Sequence, residues 1–91
     1  MFTMLDKFFS AEHDPHTPSI DLHNTSNPSD ALQQMERELY QISQSGAIYC
    51  RIIHGIGSGV LKREIHAVLS THPLVDDFKV EAHGGSTVVL L

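Results

Sequence analysis

Cysteine occurs once in this 91-residue chain, and lysine and arginine together occur six times against eleven aspartates and glutamates. Each shortage excludes something. A single thiol cannot build a disulfide framework, and Cys50 lies inside the apolar run Ile48-Tyr49-Cys50-Arg51-Ile52-Ile53, which makes it a buried small hydrophobe rather than a nucleophile. The formal charge of −5 excludes non-specific attachment to nucleic acid through bulk electrostatics, because counterion release needs clustered cations. Any nucleic-acid contact must be local. No apolar run approaches the roughly 20 residues of a membrane span, and Asp6 and Lys7 break the apolar N-terminus, unlike a secretory signal. These features predict a cytoplasmic protein with no membrane partner. The length allows one small domain with an economical core. Met1 suits a whole small protein as well as a detached C-terminal domain.

Glycine is where the sequence concentrates its information. Gly55, Gly57 and Gly59 lie at alternate positions in His54-Gly55-Ile56-Gly57-Ser58-Gly59, between an apolar strand-like run and the helical pattern Val60-Leu61-Lys62-Arg63-Glu64-Ile65. Such a loop lets backbone approach a ligand closely, and it opens onto a helix N-terminus, where free N–H groups and the dipole favour an anion. The spacing is not that of a dinucleotide-binding fold, and the chain is too short for one.

Along the chain, residues 1–9 place Phe2, Leu5, Phe8 and Phe9 at near-helical spacing, a stripe too short to stand alone that must dock on the sheet or on a partner protein. Residues 10–18, with Pro15 and Pro18, read as a linker in which His13 and His16 are solvated rather than metal ligands. From residue 19 to 91 the pattern is strand, helix, strand, helix, strand, strand. Ile20 and Leu22 alternate with Asp21 and His23; Asn27 caps a helix with Pro28 at its first position and Ala31, Leu32, Met35, Leu39 and Ile42 on its inner face. Gly46 ends that helix. A second helix turns Leu61, Ile65, Val68 and Leu69 inward and stops before Pro73. Phe78, Val80 and Ala82 alternate with polar residues, and His83-Gly84-Gly85-Ser86 turns into Val88-Val89-Leu90-Leu91, apolar on both faces and therefore interior, with the third strand at an edge. Right-handed crossovers put both helices on one side. The expected architecture is a two-layer α/β sandwich whose open face carries Tyr49, Ile53, Val89 and Leu91, covered by the N-terminal stripe or by a partner.

The first two strands end together at the edge where open α/β sheets bind ligands. Alternation places Asp21, His23 and Arg51 on the same face beside the glycine loop, with Lys62 and Arg63 in the first turn of the second helix, where a bound phosphate would offset their unfavourable interaction with the dipole. His66 either extends that patch or is exposed, and His72 and His83 are helix-end and turn residues. A histidine near neutral pKa can take a proton from a ribose 2′-hydroxyl, and a neighbouring carboxylate can orient it or share in the proton transfer. That chemistry needs no metal and no cofactor. Metal-assisted hydrolysis would bring more carboxylates than Asp21, since Asp30 and Glu36 are helix-surface charges, and Ser58 has no placed base.

Asp21-Leu22-His23, His54-Gly55-Ile56-Gly57-Ser58-Gly59, Leu61-Lys62-Arg63 and Thr87-Val88-Val89-Leu90, in this order and spacing over residues 19–91, resemble the Smr domain, the small MutS-related domain. The resemblance implies a βαβαββ fold with a four-stranded mixed sheet, two helices on one face, and the last strand central and antiparallel. It also implies an endonuclease, since members are described as nicking DNA or as cutting messenger RNA on stalled ribosomes. The family's Asp-x-His motif falls on Asp21 and His23, and its HGxGxG motif on His54, Gly55, Gly57 and Gly59. Asn24 departs from the glycine common after the histidine.

Three functions follow as expectations. The first is a metal-independent endonuclease acting on RNA or nicking DNA, with Asp21 and His23 in acid/base roles, the glycine loop, Arg51, Lys62 and Arg63 holding phosphates, and His54 shaping the loop. The second is a non-catalytic module that binds nucleic acid or a ribosome through the same edge. The third is a protein-interaction domain that uses Phe2, Leu5, Phe8 and Phe9.

Overall fold

A computed structural model describes residues 6–25 and 27–91. Seven elements follow one another: α1 Phe9–His13, β1 Ser19–Asp21, α2 Pro28–Gln44, β2 Tyr49–Ile53, α3 Val60–Leu69, β3 Asp77–Val80 and β4 Ser86–Leu90. The four strands form one sheet in the order β1-β2-β4-β3. β1 runs parallel to β2, while β4 runs antiparallel to both β2 and β3, so the last strand is central and opposes the other three. The fold is the expected mixed α/β sandwich. No helix among the described residues is long and apolar enough to cross a membrane.

Local chemistry sets the helix boundaries. The Asn27 side chain accepts from the Asp30 N–H at 2.9 Å, and Pro28 occupies the first turn, where its missing N–H costs nothing. Gly46, at φ +87°, continues the chain past the end of α2 in a left-handed conformation that few other residues adopt cheaply. α2 buries Ala31, Met35 and Leu39, and α3 buries Ile65 and Leu69, against Ile20, Leu22, Cys50, Ile52 and Val89 of the sheet. Each fully buried Leu or Ile in this layer contributes roughly 1.5–3 kcal/mol of transfer free energy. Burial pushes the Cys50 thiol up to about 12, so it is inert at neutral pH.

The other face of the sheet differs from expectation in its phase. Val88 and Leu90, not Val89 and Leu91, lie there with Tyr49, because Cys50 pairs with Val89 and Arg51 with Val88. Val88-Val89-Leu90-Leu91 is apolar at every position, so alternation carries no phase; pairing with β2 supplies it.

That face is covered from within the chain. Phe8 of the N-terminal stripe is buried against Val88, and residues 10–18, expected as a linker, contain most of α1 and pack there too through Ala11. Phe9 stays outside, 42% exposed and stacked on His13, while Phe2 and Leu5 lie outside the described residues. Polar bonds over long sequence separations hold the segment. Thr17 Oγ1 donates to Ala11 O at 3.0 Å, Tyr49 OH donates to Asp14 Oδ2 at 2.6 Å, and Lys79 Nζ pairs with Asp6 at 2.9 Å. Arg51 is the centre of the clamp. Its guanidinium donates to Glu81 Oε1 at 2.5 Å, to Glu81 Oε2 at 3.2 Å and to the α1 carbonyl Glu12 O at 3.0 Å. Burial alone would raise the Glu81 pKa, but bonds from Arg51 and from Ser86 Oγ, at 2.6 Å, outweigh it and hold the carboxyl below its ordinary value.

Candidate functional site

β1 and β2 end side by side, and the Leu22 N–H donates to Ile53 O at 2.8 Å beyond the last strand pair. This one bond carries Asp21-Leu22-His23 alongside the start of the glycine loop. Leu22 is fully buried toward the helices, so its two neighbours point the other way and are about half exposed. Asp21 Oδ1 accepts from the His23 backbone N–H at 3.2 Å and makes a short hydrogen bond with the ring Nδ1. A carboxylate can only accept, so the neutral ring carries its proton on Nδ1 and leaves Nε2 as a base. Nε2 makes no hydrogen bond among the described residues. The ring bond, with the backbone bond second, holds the Asp21 carboxyl below its ordinary value.

The glycine loop requires its glycines. Gly55 and Gly59 have φ of +80° and +83°, and a Cβ on Gly55 would stand 3.4 Å from the Cβ of His23. The loop therefore lies directly against the Asp-x-His segment. Behind it, the His54 and Gly55 N–H groups both donate to Gly85 O, at 3.1 and 2.9 Å, which ties the loop to the turn between β3 and β4. Gly59 begins α3 without a side-chain cap. Between these parts lies an open groove of about 210 Å³ lined by His23, Thr25, the glycine loop, Leu61 and Lys62; no carboxylate lines it among the described residues.

His54 is part of the groove lining but is only 6% exposed, and its ring nitrogens are bound within the protein. Its Nδ1 bonds Gly55 O at 2.9 Å and its Nε2 bonds Thr87 Oγ1 at 2.9 Å; the same hydroxyl bonds His66 Nε2 at 2.8 Å. Burial lowers the His54 pKa against the raising effect of the Gly55 carbonyl, with Lys62 and His83 lowering it further. Burial, His54 and Lys62 together lower that of His66.

The structure thus brings Asp21, His23, His54, Gly55, Gly57, Gly59 and Lys62 to one edge. It does not bring Arg51, whose guanidinium is engaged by Glu81 and α1, and Arg63 is exposed outside the groove lining. Sequence reasoning missed Thr25, Thr87 and the inward role of His66. A hydroxyl in the otherwise apolar run Val88–Leu91 and its approach was the available signal for Thr87; His66 sits on a helix flank that packs on Phe78, which periodicity alone does not reveal.

A βαβαββ sandwich with an Asp-x-His pair against an HGxGxG loop defines a class of small domains built around one polar edge. The family model described as Smr domain matches residues 20–91, and the chain belongs to that family. Endonuclease MutS2 of Thermomicrobium roseum is 38% identical over 66 residues, which make up 68% of this chain and 8% of that protein. Endonuclease MutS2 of Caldicellulosiruptor saccharolyticus is 36% identical over 77 residues, 80% of this chain and 10% of that protein. The chain therefore spans a tenth or less of the length of these curated relatives. The crystal structure of the Smr domain of Thermus thermophilus MutS2 superposes with a TM-score of 0.77 at 28% identity, covering 82% of this chain and 98% of that one. The solution structure of the SMR domain of NEDD4-binding protein 2 gives 0.65 at 27% identity, with 82% and 85% covered. The relatives are named endonucleases, which associates the family with nuclease function and nucleic acid.

Proposed function

We propose that this chain is an endonuclease domain that cleaves RNA by metal-independent transesterification in the groove, in a cytoplasmic setting where a ribosome or another body presents the strand. The observation that carries this reading is the His23 ring, held through Nδ1 by Asp21, with Nε2 unengaged, beside a loop and a lysine suited to a phosphate. His23 Nε2 takes the proton of a ribose 2′-hydroxyl. The 2′-oxygen bonds to phosphorus, the bond from phosphorus to the 5′-oxygen breaks, and solvent protonates the leaving oxygen. Asp21 orients the ring and stabilises the imidazolium, so its role is more specific than the shared acid/base role expected from sequence. Gly55, Gly57, Gly59 and Lys62 hold the phosphate, and Arg63 meets a flanking one. RNA is favoured over DNA because its own hydroxyl supplies the nucleophile, and the carboxylate beside the groove, Asp21, is already engaged by His23.

The test is cleavage of labelled single-stranded RNA and matched DNA in EDTA by wild type and His23→Ala. His23→Ala is expected to cut about 10²–10⁴-fold more slowly with the fold intact, the usual size of a general acid/base contribution. Wild type should leave 2′,3′-cyclic phosphate ends. Equal rates in the two proteins would sink the assignment of His23, and binding without cutting by wild type would favour the non-catalytic module.

A further inference from the structure

The Gly55 carbonyl accepts from His54 Nδ1, so that nitrogen carries a proton; burial and neighbouring Lys62 keep the ring neutral, leaving Nε2 an acceptor. Thr87 Oγ1 must then donate to His54 Nε2, and its single proton is used there. His66 Nε2 is left to donate to the same oxygen. One directed chain results: His66 N–H to Thr87 O–H to His54, and His54 N–H to Gly55 O. It links α3, β4 and the glycine loop. A peptide group is planar and trans, so the Gly55 carbonyl turned toward the buried ring sends the N–H of Ile56, in the same peptide, the opposite way. Gly55's own N–H is already bound to Gly85 O at 2.9 Å. The Ile56 N–H, on a residue 70% exposed at the groove, has no partner among the described residues.

We propose that Thr87 and His66 are positioning residues, which act through the His54 ring to fix the Gly55–Ile56 peptide and present the Ile56 N–H to a substrate phosphate. This deepens the endonuclease reading and rests on it for the identity of the phosphate. Thr87 touches no substrate. The Gly55 carbonyl sets the proton on Nδ1, and the Thr87 hydroxyl, by donating to Nε2, holds the ring in that orientation. Four titratable or cationic groups bear on the chain: His54 from the start of the glycine loop, His66 and Lys62 from α3, and His83 from the β3–β4 turn.

The test is nuclear magnetic resonance of the whole chain, with imidazole nitrogens read for tautomer and the Ile56 amide followed during titration with inorganic phosphate. Wild type is expected to show His54 protonated on Nδ1, His66 on Nε2, and a saturable Ile56 shift. Thr87→Val, which keeps shape and loses the hydroxyl, should shift the His54 and His66 ring-nitrogen signals by removing the partner of both Nε2 atoms, and weaken phosphate binding about tenfold, the worth of one charge-assisted hydrogen bond. Thr87→Ser should restore both signals. Should the valine variant fail to fold, His66→Leu is read the same way, with a displaced His54 spectrum and a weaker Ile56 response expected. Unchanged His54 and His66 ring-nitrogen signals with unchanged phosphate affinity in the folded variant, or a wild-type His54 protonated on Nε2, would overturn the proposal. A wild type that shows the tautomers and the phosphate response but cuts no RNA would fail the endonuclease reading and leave the positioning role standing.

Discussion

A glycine with positive φ can be required by backbone conformation alone or by a neighbour as well, and Gly46 and Gly55 separate the two cases. They have nearly the same φ, +87° and +80°, but a Cβ on Gly46 meets nothing within 4 Å while one on Gly55 meets His23 at 3.4 Å. Both alanine variants are expected to lose about 1 kcal/mol through left-handed strain, which for a domain of this size lowers Tm by about 4–8 °C. Only Gly55→Ala also places a methyl in van der Waals contact with His23, so it alone is expected to change RNA cleavage as well; matched thermal melts and cleavage rates check both. The paired histidines behind the loop add a pH dependence. His54 and His66 both have folded-state pKa values below the ordinary 6.5, so in that interval the unfolded chain binds more protons than the folded one. Stability from this source is whole above 6.5 and is lost as pH falls below it. Thermal melts from about pH 7.5 to about pH 5.5 should show a falling Tm, with a shallower fall in His66→Leu, which removes one of the two titrating groups.

At the scale of elements, α1 depends on the sheet. Five residues of helix cannot persist unaided, and the Arg51 bonds to Glu81 and the Glu12 carbonyl tie it to β2 and the end of β3. Arg51→Met leaves the Glu81 side chain, only 11% exposed, without its cation. A loss of about 2–3 kcal/mol in urea unfolding is expected, below the 3–5 of a fully buried pair because the arginine is partly hydrated. Arg51→Met with Glu81→Met should recover part of that loss, and neither change should alter the salt dependence of RNA binding. Arg51 also illustrates what was legible in advance. The order of strands and helices, the Asn27-Pro28 helix start, the inward stripe of α2 and the meeting of Asp21-Leu22-His23 with the glycine loop all follow from local patterns that short-range physics obeys. The facing of Val88 to Leu91 was not legible, because every position is apolar and register decides. Nor was the docking of residues 10–18, which are held by a bond from Tyr49 to Asp14 across 35 residues. An arginine on the predicted face next to the site looked free to hold a phosphate; its carboxylate partner comes from 30 residues further along the chain.

For the whole molecule the governing quantity is the charge of −5, against which the candidate edge sets Lys62 in the groove and Arg63 in the same helical turn. A polyanion approaching a protein of this charge meets net repulsion, so affinity at the candidate edge is expected to come from the one or two phosphates that Lys62 and Arg63 can meet. Neutralising two phosphates of a single strand releases few counterions, and log Kd should change with log salt at a slope of about 1.4, taking about 0.7 per phosphate. Lys62→Ala is expected to reduce the slope by about 0.7 and weaken binding similarly for every sequence, since a lysine reads charge and not bases. Fluorescence anisotropy of a labelled single strand across a salt series measures both, with His23→Ala as background so that no strand is cut. A slope several times larger in the unsubstituted background would mean that a broader basic surface contacts the strand than the described residues provide. A slope near 1.4 would mean that this domain grips its substrate at one point and depends on another body, covalently attached or not, to deliver the strand to His23.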